Sequence, residues 1–146
     1  MTAPHAAIAH AAVARVEVTP SLTSLDGSGR EWIVEAFGCD AGRLADPAAL
    51  VELVDELVDA LALTPVAPAQ WHRFPYPGGI TGLLLLAESH LALHTFPEHR
   101  SLCLNLFCCR PRPEWDYREG LARTLGATRV VVRQVAREYA DADGPA

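Results

Sequence analysis

Residues 101–109, SLCLNLFCC, alternate strictly between two sides of an extended chain. Leu102, Leu104, Leu106 and Cys108 fall on one side, and Cys103, Asn105, Phe107 and Cys109 on the other. A chain with this pattern must bury one face of a sheet and find a separate use for the opposite face. The leucine side is the core, which makes Cys108 a buried hydrophobe. Cys109 shares its side with Asn105 and is the better candidate for a working thiol.

Further strands are predicted at 30–37 (REWIVEAF, closed by Gly38), 80–87 and 90–96, with TRVVVRQVAR as a closing strand. Short connections between consecutive strands favour antiparallel pairing. Asp46-Pro47 reads as an N-cap followed by proline at the first helical position. Leu50, Val51, Val54, Leu57, Val58 and Leu61 then recur at helical spacing to about residue 62. A second helix is predicted over 113–125, from Pro113 to Gly126, and TPVAPAQWHRFPYPGG is expected to be a proline-broken extended segment. The expected fold is α+β: a two-layer α/β sandwich with a mainly antiparallel sheet and two principal helices. Two helices leave part of such a sheet bare, and dimerisation would cover it. Residues 1–29 are expected to form a mobile N-terminal arm, 30–137 one domain and 138–146 a flexible tail.

The formal net charge of −6 offers no footprint for nucleic acid. The apolar run near 80–87 is too short to span a membrane. The Ala-rich start lacks the basic segment of a signal peptide, so a cytoplasmic protein with reduced thiols is expected. All twelve basic residues are arginine. Chemistry that depends on a lysine amine, whether a pyridoxal phosphate anchor, a lysine Schiff base or a P-loop, is therefore excluded.

The run LLLLAESHLALHTFPEH, 83–99, is interrupted by Glu88-Ser89-His90. Ser89 and His94 are five positions apart, so a regular strand would aim them at opposite faces. Cooperation between them requires a bend near 88–90. His90 and His94 share a face and could bind zinc with Cys103 or Cys109, but a second closely spaced ligand pair is missing, and no metal is expected. Taken alone, Ser89, His90 and His94 are better accounted for as hydrogen-bonded strand residues.

The segment E-S-H-L-A-L-H-T-F-P-E, 88–98, resembles the processing segment of the prokaryotic S-adenosylmethionine decarboxylase proenzymes, typically E-S-H-L-T-I-H-T-W-P-E. The resemblance extends over roughly 30–135, through F-G-C-D at 37–40, H-R-F at 72–74 and G-I-T-G at 79–82, with Cys109 twenty residues after Ser89. It implies self-cleavage between Glu88 and Ser89, giving residues 1–88 and a 58-residue chain (146 − 88) that begins with a pyruvoyl group made from Ser89. That cofactor would form a Schiff base with a small-molecule substrate and draw electrons as carbon dioxide leaves, supplying aminopropyl groups for polyamine synthesis. The resemblance further implies that His94 assists processing and that Cys109 returns a proton to the substrate. A free thiol is ordinarily protonated at neutral pH yet able to donate. Phe74 and Phe96 match aromatic positions that stack on adenine, Glu98 a carboxylate facing ribose, and the assembly a homodimer with sites at or near its interface.

The chain departs from that pattern in four places. Thr81 stands where a serine supports processing, and Asn105 where aspartate is common. The loop FPYPGGITG is one residue longer than usual. Arg-Pro-Arg-Pro follows Cys109 in place of glycine and acidic residues. Two other readings remain open at this level: the same chemistry on arginine or ornithine, and a non-cleaving homologue acting as a regulatory subunit.

Overall fold

The computed structural model describes residues 28–140. The chain runs through β1 (Ser28–Phe37), a short turn of helix α1 (Ala41–Leu44), helix α2 (Pro47–Ala60), β2 (Gln70–Arg73), β3 (Ile80–Leu86) and β4 (Ser89–Phe96). A 3-10 turn over Pro97–His99 follows, then β5 (Ser101–Cys108), helix α3 (Tyr117–Leu125) and β6 (Arg129–Glu138). The six strands form one sheet in the order β2-β3-β4-β5-β1-β6, every neighbouring pair antiparallel. The α1–α2 connection carries the chain from β1 to the far edge, and α3 carries it from β5 across β1 to the other edge.

The expected parity of β5 is present. Leu102, Leu104, Leu106 and Cys108 are buried against α2 and α3, in one core with Trp32, Val34, Leu91 and Leu93 of neighbouring strands. Helix α2 adds Leu50, Leu53, Val54, Leu57 and Val58 from a single stripe. Each such side chain contributes about 1.5–3 kcal/mol by leaving water. The helices cover one face only, giving the two-layer α+β architecture. Thr81, Leu83, Leu85, Ala92, His94 and Asn105 belong to the other face, with Leu83 and Leu85 exposed.

Asp46 caps α2 by accepting the Ala48 amide at 3.0 Å, with Pro47 at the first position as expected. Helix α3 begins four residues later than predicted. The Asp116 carboxylate accepts from the amides of Arg118 and Glu119, so the cap that starts the helix is Asp116, and Pro113 lies in the preceding loop. Within the proline-broken segment, Gln70–Arg73 pair as the edge strand β2, which was not anticipated. Its prolines flank the paired residues, where no ladder bond is lost. Trp71 of β2 lies over Gly82 of β3, where a Cβ would come within 2.5 Å of the ring. Ser28 and Gly29, assigned to the arm, start β1, and Glu138, assigned to the tail, ends β6. The rest of the arm, 1–27, and the tail from 141 onward lie outside the described residues.

Candidate active site

Strands β3 and β4 are joined by two residues, Ala87 and Glu88. Two-residue hairpin loops usually hold positive φ within the loop, on glycine, asparagine or aspartate. Here the positive value falls on the next residue, Ser89, at φ 155°. L-residues rarely adopt this backbone, and holding one there costs on the order of 1–3 kcal/mol. The break turns the Ser89 hydroxyl toward His90 Nδ1, 3.2 Å away, on the helix-free face. The backbone irregularity near 88–90 thus sits at Ser89 itself, and β4 pairs without interruption from there to Phe96.

The Glu88–Ser89 peptide is held at its carbonyl, and the groups on its N-terminal side are held as well. The Cys109 N–H donates to the Glu88 carbonyl oxygen at 3.2 Å, and the Ala87 N–H donates to Thr64 O at 2.8 Å. Behind the hairpin, Arg112 Nη2 lies 2.9 Å from Glu88 Oε2. Cys108 is opposite Ser89 in the ladder and fully buried, and burial pushes its thiol pKa up. Burial likewise pushes up the Tyr117 hydroxyl, which abuts the same cluster.

A second group assembles further along β4. Thr81 and His94 are cross-strand partners, with Thr81 Oγ1 2.5 Å from His94 Nδ1. Two aromatic rings flank that imidazole, Phe96 at 4.4 Å and Phe74 at 5.7 Å between centroids, and His72 packs edge-on against Phe74. Of the predicted residues, Thr81, His94, Phe74 and Phe96 thus come together. Glu88, Ser89 and Cys109 come together elsewhere, and Glu98 lies exposed in the 3-10 turn past β4. The two groups do not touch within one chain. Five residues of strand span about 16 Å, so the irregularity gives Ser89 the right face but not the reach to His94. By the same measure His90 and His94 are about 13 Å apart, too far to share an ion. Among the described residues no group of three or more His, Cys, Asp or Glu could hold a metal.

Between these groups and β6, Asn105 Nδ2 donates to Glu31 Oε1 at 2.5 Å, and Arg137 pairs with the same carboxylate. The Asn105 amide, then Arg137, hold the Glu31 carboxyl below its usual range against the opposing effect of burial. Arg133 pairs with Glu35 at 2.6 Å one step along.

The S-adenosylmethionine decarboxylase family model matches residues 30–138. The chain belongs to this family. Its members are pyruvoyl-dependent enzymes made as proenzymes, the pyruvoyl group forming from a serine by self-cleavage. The chain is 32% identical over 117 residues to an S-adenosylmethionine decarboxylase proenzyme of Shouchella clausii, covering 77% of this chain and 87% of that one. It is 34% identical over 82 residues to one from Clostridium botulinum, covering 56% and 69%. The fold is also that of the adenosylmethionine decarboxylase crystal structure from Aquifex aeolicus, with TM-score 0.65 and 23% identity over 81% of this chain and 97% of that one.

The residues at the hairpin fit a pyruvoyl group derived from Ser89. Cutting the Glu88–Ser89 bond severs only a two-residue connection. Strand β3 stays paired with β2 and β4, and β4 with β3 and β5, so both new ends remain held. Three contacts went unseen at the sequence level: His90 on the Ser89 hydroxyl, the Cys109 amide on the Glu88 carbonyl, and Arg112 on the Glu88 side chain. Arg-Pro-Arg-Pro was visible as a departure, but nothing in the sequence pairs Arg112 with a residue 24 positions earlier.

Proposed function

We propose that the chain is a self-processing decarboxylase of S-adenosylmethionine that cuts itself between Glu88 and Ser89 and uses Ser89 as the source of its pyruvoyl group. The observation that carries this reading is the Glu88 carbonyl, held by the Cys109 N–H next to a Ser89 of strained φ. An N–H aimed at that oxygen stabilises the negative charge it gains when Ser89 Oγ adds to the carbonyl carbon. The new C–O bond replaces the C–N bond, and the hydroxyl proton ends on the Ser89 nitrogen. Loss of the Ser89 α-proton then expels the Glu88 carboxylate, and water converts the remaining dehydroalanine to pyruvoyl with release of ammonia.

A pyruvoyl carbonyl supplies the electron sink that the lysine-free chain otherwise lacks. In this reading Thr81 orients His94 for proton transfer, and the Cys109 thiol donates a proton to the substrate carbon after carbon dioxide leaves. Phe74 and Phe96 offer ring faces to the adenine, and Glu98 a carboxylate to the ribose. The product is the aminopropyl donor of polyamine synthesis.

The working form in this reading is a homodimer. Ser89 and His94 stand about 16 Å apart along β4. A second copy, packed sheet to sheet across the helix-free face, brings one protomer's Thr81–His94 to the other's Ser89. The exposed Leu83 and Leu85 of that face support such packing, and a two-fold axis makes both sites at once.

Intact-mass analysis tests the processing reading. The purified chain is expected as two fragments and Ser89→Ala as one; a wild type found only at full length sinks the proposal. Carbon dioxide release from labelled S-adenosylmethionine, against arginine and ornithine, tests the substrate.

A further inference from the structure

Glu88 and Arg112 form a largely buried ion pair, their side chains 12% and 10% exposed. Removing two charges from water costs several kcal/mol per ion, and such a pair is often no more stable than apolar residues of similar size. Stability is therefore a weak explanation for its presence. The contact is close but poorly aligned, since neither Glu88 Oε2 nor Arg112 Nε makes a hydrogen bond of good geometry, and charge holds it. Arg112 is anchored at its far side, where Nη1 donates to Ala62 O at 2.6 Å, just past helix α2. It thereby ties the scissile residue to the helical layer. Glu88 is then fixed through its side chain by Arg112 and through its carbonyl by Cys109 N–H, with Ala87 fixed by Thr64.

We propose that Arg112 is the positioning residue of the self-cleavage, holding Glu88 by its side chain so that the carbonyl stays in line with Ser89 Oγ. This rests on the processing reading above. The step served is the acyl shift already described: an O–C bond forms at the Glu88 carbonyl carbon, the C–N bond breaks, and the hydroxyl proton passes to the freed amine. No further reactant is required. Arg112 touches neither reacting atom and acts through the placement of Glu88.

The test is cell-free synthesis of the full chain, with the uncut fraction followed over time by intact mass. Variants are Glu88→Gln, Arg112→Lys, Arg112→Met and the double Glu88→Gln/Arg112→Met. In chains shown to be folded by circular dichroism, Glu88→Gln and Arg112→Met are expected to slow cutting by about 10- to 100-fold, the usual consequence of a misplaced reacting group. Arg112→Lys keeps the charge and is expected to recover part of the rate. The double variant is expected to be no slower than the slower single. Folded single variants that cut at the wild-type rate overturn the inference, as do losses that multiply in the double. If Arg112→Met does not fold, Glu88→Gln and Arg112→Lys decide by the same criterion. A wild type that never cuts overturns the processing reading and this inference together, whereas a cutting wild type with indifferent variants overturns only the inference.

Discussion

The backbone N–H of Cys109 donates to the carbonyl oxygen of Glu88 at 3.2 Å, so the residue after β5 holds the peptide bond at the tip of a different hairpin. Cys109 then has two separable duties, one of its amide and one of its thiol. Cys109→Ala keeps the amide and is expected to cut normally while losing turnover about 100-fold or more, as befits a lost proton donor. Cys109→Pro removes the amide and is expected to slow cutting about 100-fold, the usual cost of one oxyanion donor. Intact mass and carbon dioxide release read the two duties. Equal cutting by both variants would remove the amide from the mechanism.

Thr81 supplies the hydroxyl that meets His94 Nδ1. Thr81→Val keeps the shape and deletes that oxygen, and its cutting is expected to slow by about 10- to 100-fold. Thr81→Ser is expected to cut at least as fast as the wild type, because the hydroxyl remains and the methyl is gone. Timed intact-mass measurements on both variants check this; an unimpaired Thr81→Val would reduce the contact to simple packing.

Because His94 is out of reach of its own Ser89, the chains Ser89→Ala and His94→Ala, each expected to remain uncut alone, are expected to complement when co-expressed. In a mixed dimer the His94→Ala chain still carries Ser89, and its Ser89→Ala partner presents an intact His94. Cut fragments of the His94→Ala chain should appear only in the mixture. If neither chain is cut in a verified mixed dimer, the site is built within one protomer.

Glu31 sets a pH dependence of stability. Its carboxyl is held below the usual range, chiefly by the Asn105 amide and then by Arg137. A depressed carboxyl stabilises the fold fully above its unfolded pKa, and that contribution is lost as the pH falls through the folded value. Asn105→Leu is therefore expected to cost about 1 kcal/mol near neutrality, a figure discounted for partial exposure of the carboxylate. The difference from wild type should narrow as urea denaturation is repeated at successively lower pH, through the range in which the folded carboxyl takes up its proton. A gap of constant size across that range would mean that Asn105 acts through packing instead.

Much of the molecule was legible before any coordinates. Strict alternation in 101–109 assigned the leucines and Cys108 to the core, because the period of an extended chain is two whatever its neighbours are. Helical spacing and Asp46-Pro47 located α2, since caps and amphipathic stripes are local. Spacing between Ser89, His94 and Cys109 marked the family segment. Less was legible where local signals compete. Helix α3 starts at Tyr117 because the Asp116 carboxylate takes two amides, a choice that Pro113 alone concealed.

Pattern and spacing in the sequence thus determined five of the six strands, their apolar faces and the candidates for chemistry. Tertiary structure alone decided who meets whom. Thr81 reaches His94 only because the Ala87–Glu88 turn sets the β3–β4 register, and a slip of one residue would send either side chain to the opposite face. Arg112 reaches Glu88, and the Cys109 amide reaches its carbonyl, only because the sheet brings β5 beside β4 and returns the loop after it behind the hairpin. Periodicity is a property of a few consecutive residues, whereas register and charge pairing belong to the closed sheet.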